Sequence, residues 1–156
     1  MKSMKADLYR DLHEQAAALL QGERDPVANA ANLAALIWHT LPDLNWVGFY
    51  FLKDGELVLG PFQGKPACVR IALGKGVCGT AAQTRQTQVV KDVHAFPGHI
   101  ACDSASNSEL VAPLLDGETV LGVLDADSPL TGRFDEQDRA GLEKLAALWV
   151  SASEPR

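Results

Sequence analysis

Three cysteines in 156 residues are too few to build a disulfide scaffold. No uninterrupted apolar run approaches the roughly 20 residues that a membrane-crossing helix needs. No apolar stretch with a cleavage site follows Met1-Lys2-Ser3-Met4-Lys5, so no secretory signal is expected. Positive charge is also scarce: 14 Lys and Arg face 20 Asp and Glu, a net charge of -6, and the cations are scattered. Nucleic acid is thereby excluded as a general partner and an anionic membrane surface is disfavoured, since both need clustered Lys and Arg. Metal-binding spacings such as C-x-x-C or H-x-x-x-H are missing, His94 and His99 being five apart, so no metal is expected. There are no repeats, low-complexity tracts or dividing linkers. A 47% apolar composition remains, enough for one domain to bury a core. The expected compartment is the cytoplasm, where thiols stay reduced and three cysteines must be bystanders, ligands or redox groups.

The pattern along the chain alternates helix and hairpin signals. Met4, Leu8, Leu12, Ala16 and Leu19 recur at helical spacing until Gly22. Asp25-Pro26 offers a cap and a first-turn proline for a second helix, which Pro42 ends. Leu44 to Leu52, a Lys53-Asp54-Gly55 turn and Glu56 to Gly60 read as a hairpin, and Ala67 to Leu73 as a third strand. A short helix from Val77 to Gln83 and a short strand from Gln88 to Lys91 follow. Asp92 to Asn107 has no periodicity and is expected to be a functional loop. Glu109 to Leu115 and Thr119 to Asp125 form a second hairpin about Asp116-Gly117, and Asp135 caps a last helix. Hairpins dominate, so an α+β fold is predicted, with a mainly antiparallel sheet of about six strands and helices packed on it.

Several residues can carry chemistry. Cys78 follows Gly74-Lys75-Gly76 at an expected helix start, where backbone N–H groups and Lys75 favour a thiolate. Cys102 sits in the loop beside Asp103, and Cys68 falls on the third strand. For any one of them a small buried hydrophobe is the default reading. Glu109 opens a strand, while Asp125 and Asp127 are two apart and share one face of the next. Such carboxylates hold an ammonium group, supply a proton, or simply cap strand ends, and the three readings stay open. Trp46 and Tyr50 share a strand face by parity, a flat apolar surface suited to a methyl thioether or to the core. His13 and His39 fall on helices, and His94 and His99 read as loop residues rather than ligands.

Five segments together carry a family resemblance. They are Asn45-Trp46-Val47-Gly48-Phe49-Tyr50, Gly74-Lys75-Gly76-Val77-Cys78-Gly79, His99-Ile100-Ala101-Cys102-Asp103, Ser106-Asn107-Ser108-Glu109 and Gly122-Val123-Leu124-Asp125-Ala126-Asp127-Ser128-Pro129. They resemble the free methionine-R-sulfoxide reductases, enzymes built on a single GAF domain. The resemblance spans nearly the whole chain and implies one such domain over 1–156, with helices on one sheet face and loops enclosing a ligand pocket on the other. It implies Cys102 as nucleophile, Cys68 as principal resolving thiol and Cys78 as a further thiol that assists, displacing the local ranking that puts Cys78 first. Glu109, Asp125 and Asp127 become the carboxylates around the substrate, with Glu109 the acid nearest the sulfoxide oxygen. Asp125 and Asp127 then hold the amino group, and Trp46 packs on the methyl group. The implied reaction forms a sulfenic acid and then an intramolecular disulfide, which thioredoxin or a similar dithiol reduces without metal or organic cofactor. GAF domains often dimerise through terminal helices, so a homodimer is compatible. The competing class is a GAF module that binds a small ligand or senses redox state without turnover. Against it, no cysteine is followed by His, as a bilin-attaching domain would require.

Overall fold

The computed structural model describes residues 2–99 and 105–154, so Cys102 lies outside the described residues. Helices α1 (Lys2–Leu20) and α2 (Pro26–Thr40) precede strands β1 (Trp46–Lys53), β2 (Glu56–Gly64) and β3 (Arg70–Ala72). Helix α3 (Gly76–Thr84), strand β4 (Gln88–Val90), strands β5 (Ser108–Asp116) and β6 (Thr119–Ser128), and helix α4 (Glu136–Ala152) complete the order. The strands form one six-stranded sheet in the order β3-β2-β1-β6-β5-β4. Every neighbouring pair is antiparallel. The predicted α+β class and strand number are both observed.

Strand parity sorts the sheet into two faces. Val47 and Phe49 of β1, Leu110, Ala112 and Leu114 of β5, and Leu124 and Ala126 of β6 meet α1, α2 and α4 in the larger core. The alternate residues, Trp46, Tyr50, Val111 and Val123, meet α3 in a second cluster on the opposite face. The helices begin where the sequence supplies caps. Asp25 accepts from the Ala28 N–H at 2.8 Å with Pro26 following it, and Asp135 forms a capping box with Asp138. At Gly141 a Cβ would collide with the Tyr9 ring, so only glycine allows α4 to lie this close to α1.

Two strand boundaries differ from the sequence pattern. β3 begins at Arg70, so Cys68 lies in the loop before it rather than on a strand. Pro66 has no N–H to give to a ladder, and the Cys68 carbonyl accepts from the Tyr50 hydroxyl at 2.8 Å. β6 runs on to Ser128, past the expected end at Asp125, so Asp127 as well as Asp125 lies inside the sheet.

Asp138 holds α1, α4 and the segment before α4 together. It is fully buried and accepts from Tyr9 Oη at 2.7 Å, Lys5 Nζ at 2.9 Å, Arg133 Nη1 at 3.2 Å and the Asp135 N–H at 2.9 Å. Removing one partner of such a network strands the others in the interior. Asp138→Ala is therefore expected to lose about 3–5 kcal/mol of stability in urea denaturation. A loss under about 1 kcal/mol would show that the network is no more than a surface ion pair.

Candidate active site

The register of three central strands assembles the acidic cluster. Trp46 pairs with Asp127 across β1 and β6, and Asp127 pairs with Glu109 across β6 and β5. One step along, Gly48, Asp125 and Val111 form the next row. Directly paired residues point to the same side of a sheet, so Glu109, Asp125 and Asp127 all project away from the helical core, towards α3. They line one hollow together with Trp46, Tyr50, Cys78 and His99.

All three carboxylates are buried, with exposures of 8% for Glu109, 4% for Asp125 and 9% for Asp127. Burial raises Glu109 well above the ordinary carboxylate range, with the neighbouring Asp125 adding to the effect. Burial and then Asp127 raise Asp125 in the same way. Both shifts favour the neutral acids, whose O–H groups can donate to a neighbouring carboxylate. One oxygen, Asp125 Oδ1, is buried with no hydrogen-bond partner.

Cys78, the third residue of α3, is buried 3.4 Å from Asp125 Oδ2 and 3.9 Å from Glu109 Oε2, donating to both. Burial pushes its thiol well up, and the surrounding carboxylates push it further. The expectation of an activated Cys78 thiolate is overturned here: the acids facing the thiol outweigh the helix N-terminus and Lys75. Cys78 is a free thiol, whereas Cys68 is half-buried and disulfide-bonded.

The walls are aromatic and helical. The Trp46 indole stacks between Phe62 at 5.2 Å and Tyr50 at 5.9 Å between ring centres. Its Nε1 donates to the Lys65 carbonyl at 3.1 Å. Helix α3 enters the hollow with Gly76 and Val77, and its N-cap residue Lys75 makes no side-chain cap. Free backbone donors and the positive end of a helix are thus turned towards the hollow. Two polar side chains that sequence reasoning passed over also line it, His99 and Ser106. His99 is held below its ordinary range by burial and by His94 beside it. Ser106 Oγ accepts from Asn45 Nδ2 at 3.0 Å. Both belong to the motif segments, which were the available signal, but no local spacing rule singles them out.

The raised carboxylates fix the sign of a pH effect. Where pH lies between a group's ordinary value and its raised folded one, the folded protein keeps a proton that the unfolded chain has released, so stability falls with rising pH. The contribution is complete below the ordinary values, 4.5 for Glu and 3.8 for Asp, and is lost as pH rises through the folded ones. The slope is at most about 1.4 kcal/mol per pH unit for each retained proton. Urea denaturation of ligand-free protein between about pH 5 and about pH 8 should show this slope, and Glu109→Gln should flatten it. An unchanged slope in the variant would mean that Glu109 is ionised in the fold.

The GAF domain family matches residues 8–152. The free methionine-R-sulfoxide reductase of Escherichia coli is 54% identical over 143 residues, which cover 92% of this chain and 87% of that protein. The reductase of Staphylococcus aureus solved with its substrate superposes with a TM-score of 0.89 at 50% identity, covering 92% of this chain and 94% of that one. The Neisseria meningitidis enzyme in complex with its substrate gives a TM-score of 0.92 at 47% identity, covering 95% and 89%. With similarity of this depth over nearly its whole length, the chain belongs to the GAF domain family and, within it, to the free methionine-R-sulfoxide reductases.

Proposed function

We propose that this chain, working as one GAF domain over 1–156, reduces free L-methionine-R-sulfoxide to L-methionine with Cys102 as nucleophile. The observation that carries the proposal is the buried Glu109–Asp125–Asp127 cluster facing Trp46, because it meets the separate demands of such a substrate. An amino acid brings an ammonium group, which two carboxylates at Asp125 and Asp127 can hold. Its carboxylate suits the uncapped N-terminus of α3. Its methyl thioether suits the flat face of Trp46.

A sulfoxide oxygen leaves poorly unless protonated, and Glu109 is raised into a range where it keeps a proton to give. In the first step the Cys102 thiolate attacks the sulfoxide sulfur while Glu109 protonates the oxygen. The oxygen passes to Cys102, methionine departs, and a sulfenic acid remains. Cys68 then attacks that sulfur, water leaves, and a disulfide forms. A thioredoxin-type dithiol reduces it by exchange. The disulfide-bonded state of Cys68, beside a Cys78 that stays free, supports Cys68 as the principal resolving thiol.

The test is methionine release with dithiothreitol, run separately on each sulfoxide epimer. The R epimer of the free amino acid should be turned over, and Cys102→Ser should abolish the activity. Glu109→Gln should lower kcat by about 10²–10⁴-fold, with a smaller change in KM. Full turnover by Glu109→Gln would remove the acid from the mechanism. A wild-type protein that binds methionine sulfoxide and never releases methionine would be a sensing module instead.

A further inference from the structure

Cys78, Glu109 and Asp125 lie far apart in the sequence, yet one ligand atom from each falls within 4.8 Å of the others. All three residues are buried, and each comes from a different element, α3, β5 and β6. The sulfur lies 3.4 Å from Asp125 Oδ2 and 3.9 Å from Glu109 Oε2. A tetrahedral zinc ion with Zn–S of about 2.3 Å and Zn–O of about 2.1 Å has S···O edges of about 3.6 Å, so the observed separations bracket those of a coordinated ion.

An independent feature points the same way. Asp125 is 4% exposed, lines the hollow, and has an oxygen with no hydrogen-bond partner, which is a buried acceptor in want of a cation. The donor set decides which cation. One thiolate with two carboxylates suits borderline-soft ions that accept four ligands, whereas calcium and magnesium demand six or more oxygens or several retained waters. Three protein ligands leave the fourth position facing the hollow, for water or chloride.

We propose that Cys78, Glu109 and Asp125 form a binding site for a divalent ion of the zinc class, and that occupation of this site excludes the amino-acid substrate. As the metal binds, Cys78, Glu109 and Asp125 coordinate in their ionised forms, the protons they held pass to solvent, and no atom is oxidised or reduced. The exclusion of substrate rests on the function proposed above, because it assumes that Asp125 is needed for the ammonium group; metal binding itself does not.

Cobalt(II) is the probe, added to full-length protein carrying its Cys68 disulfide, so that Cys78 is the free thiol. One equivalent should bind with a near-ultraviolet thiolate-to-cobalt charge-transfer band and the visible spectrum of a tetrahedral ion. Zinc should abolish both signals by displacement. Cys78→Ser should remove the charge-transfer band, and Asp125→Asn should weaken binding at least about tenfold, with circular dichroism checking the fold of each variant. Absence of the band in folded wild-type protein, or its persistence in Cys78→Ser, overturns the site. In turnover assays zinc should raise KM for methionine sulfoxide without lowering kcat, and a fall in kcat alone overturns the exclusion. Cobalt binding through Cys78 without any turnover sinks the enzymatic reading and leaves the metal site standing; turnover without the band does the reverse.

Discussion

Burying three carboxylates side by side is the constraint around which this molecule is arranged. An isolated buried carboxylate costs several kcal/mol if it stays ionised. Here Glu109, Asp125 and Asp127 are each at most 9% exposed. The fold meets that cost in two ways. Glu109 and Asp125 are raised above the ordinary carboxylate range, which favours their neutral forms, and both accept from the Cys78 thiol. Neither solution is complete, because Asp125 Oδ1 keeps no partner.

Stability is generated on the opposite face. Leu110, Leu124, Phe49 and Trp149 lie in a continuous apolar core between the sheet and three helices. The same strands carry both faces, since Leu110 sits beside Glu109 and Leu124 beside Asp125 in sequence. Strand parity therefore anchors each acid through an apolar neighbour that cannot move without opening the core. The hollow is rigid on its sheet side for this reason. Tyr50 extends the order to the rim, since its hydroxyl donates to the carbonyl of Cys68 and fixes the backbone that carries this thiol.

Much of this was legible in the sequence, and the parts that were not share a cause. Helices α2 and α4 announce themselves through Asp25-Pro26 and Asp135, and both caps are present. The common face of Asp125 and Asp127 follows from a spacing of two. That Glu109 stands opposite Asp127 does not follow, because it depends on the register of β5 against β6, and register is a property of the whole sheet. Cys78 shows the same limit more sharply. Its helix start and Lys75 are local and argue for a thiolate, while the acids that hold the thiol protonated come from strands some 30 and 47 residues away. The setting of the Cys68 loop was hidden for a related reason: its carbonyl accepts from Tyr50, 18 residues upstream.

The acidic cluster also bears on which sulfoxide the proposed reaction accepts. Methionine sulfoxide within a polypeptide has an amide where the free amino acid has an ammonium group. An amide N–H offers one hydrogen bond and no charge, so it gives Asp125 and Asp127 no cation to favour their ionised forms. Leaving a buried charged group unpaired costs more than a matched contact gains, and sites built around such groups reject analogues that lack the partner by large factors. Preference for the free amino acid thus needs no separate recognition device. In the proposed reaction it follows from the same buried acids that would hold the substrate's ammonium group.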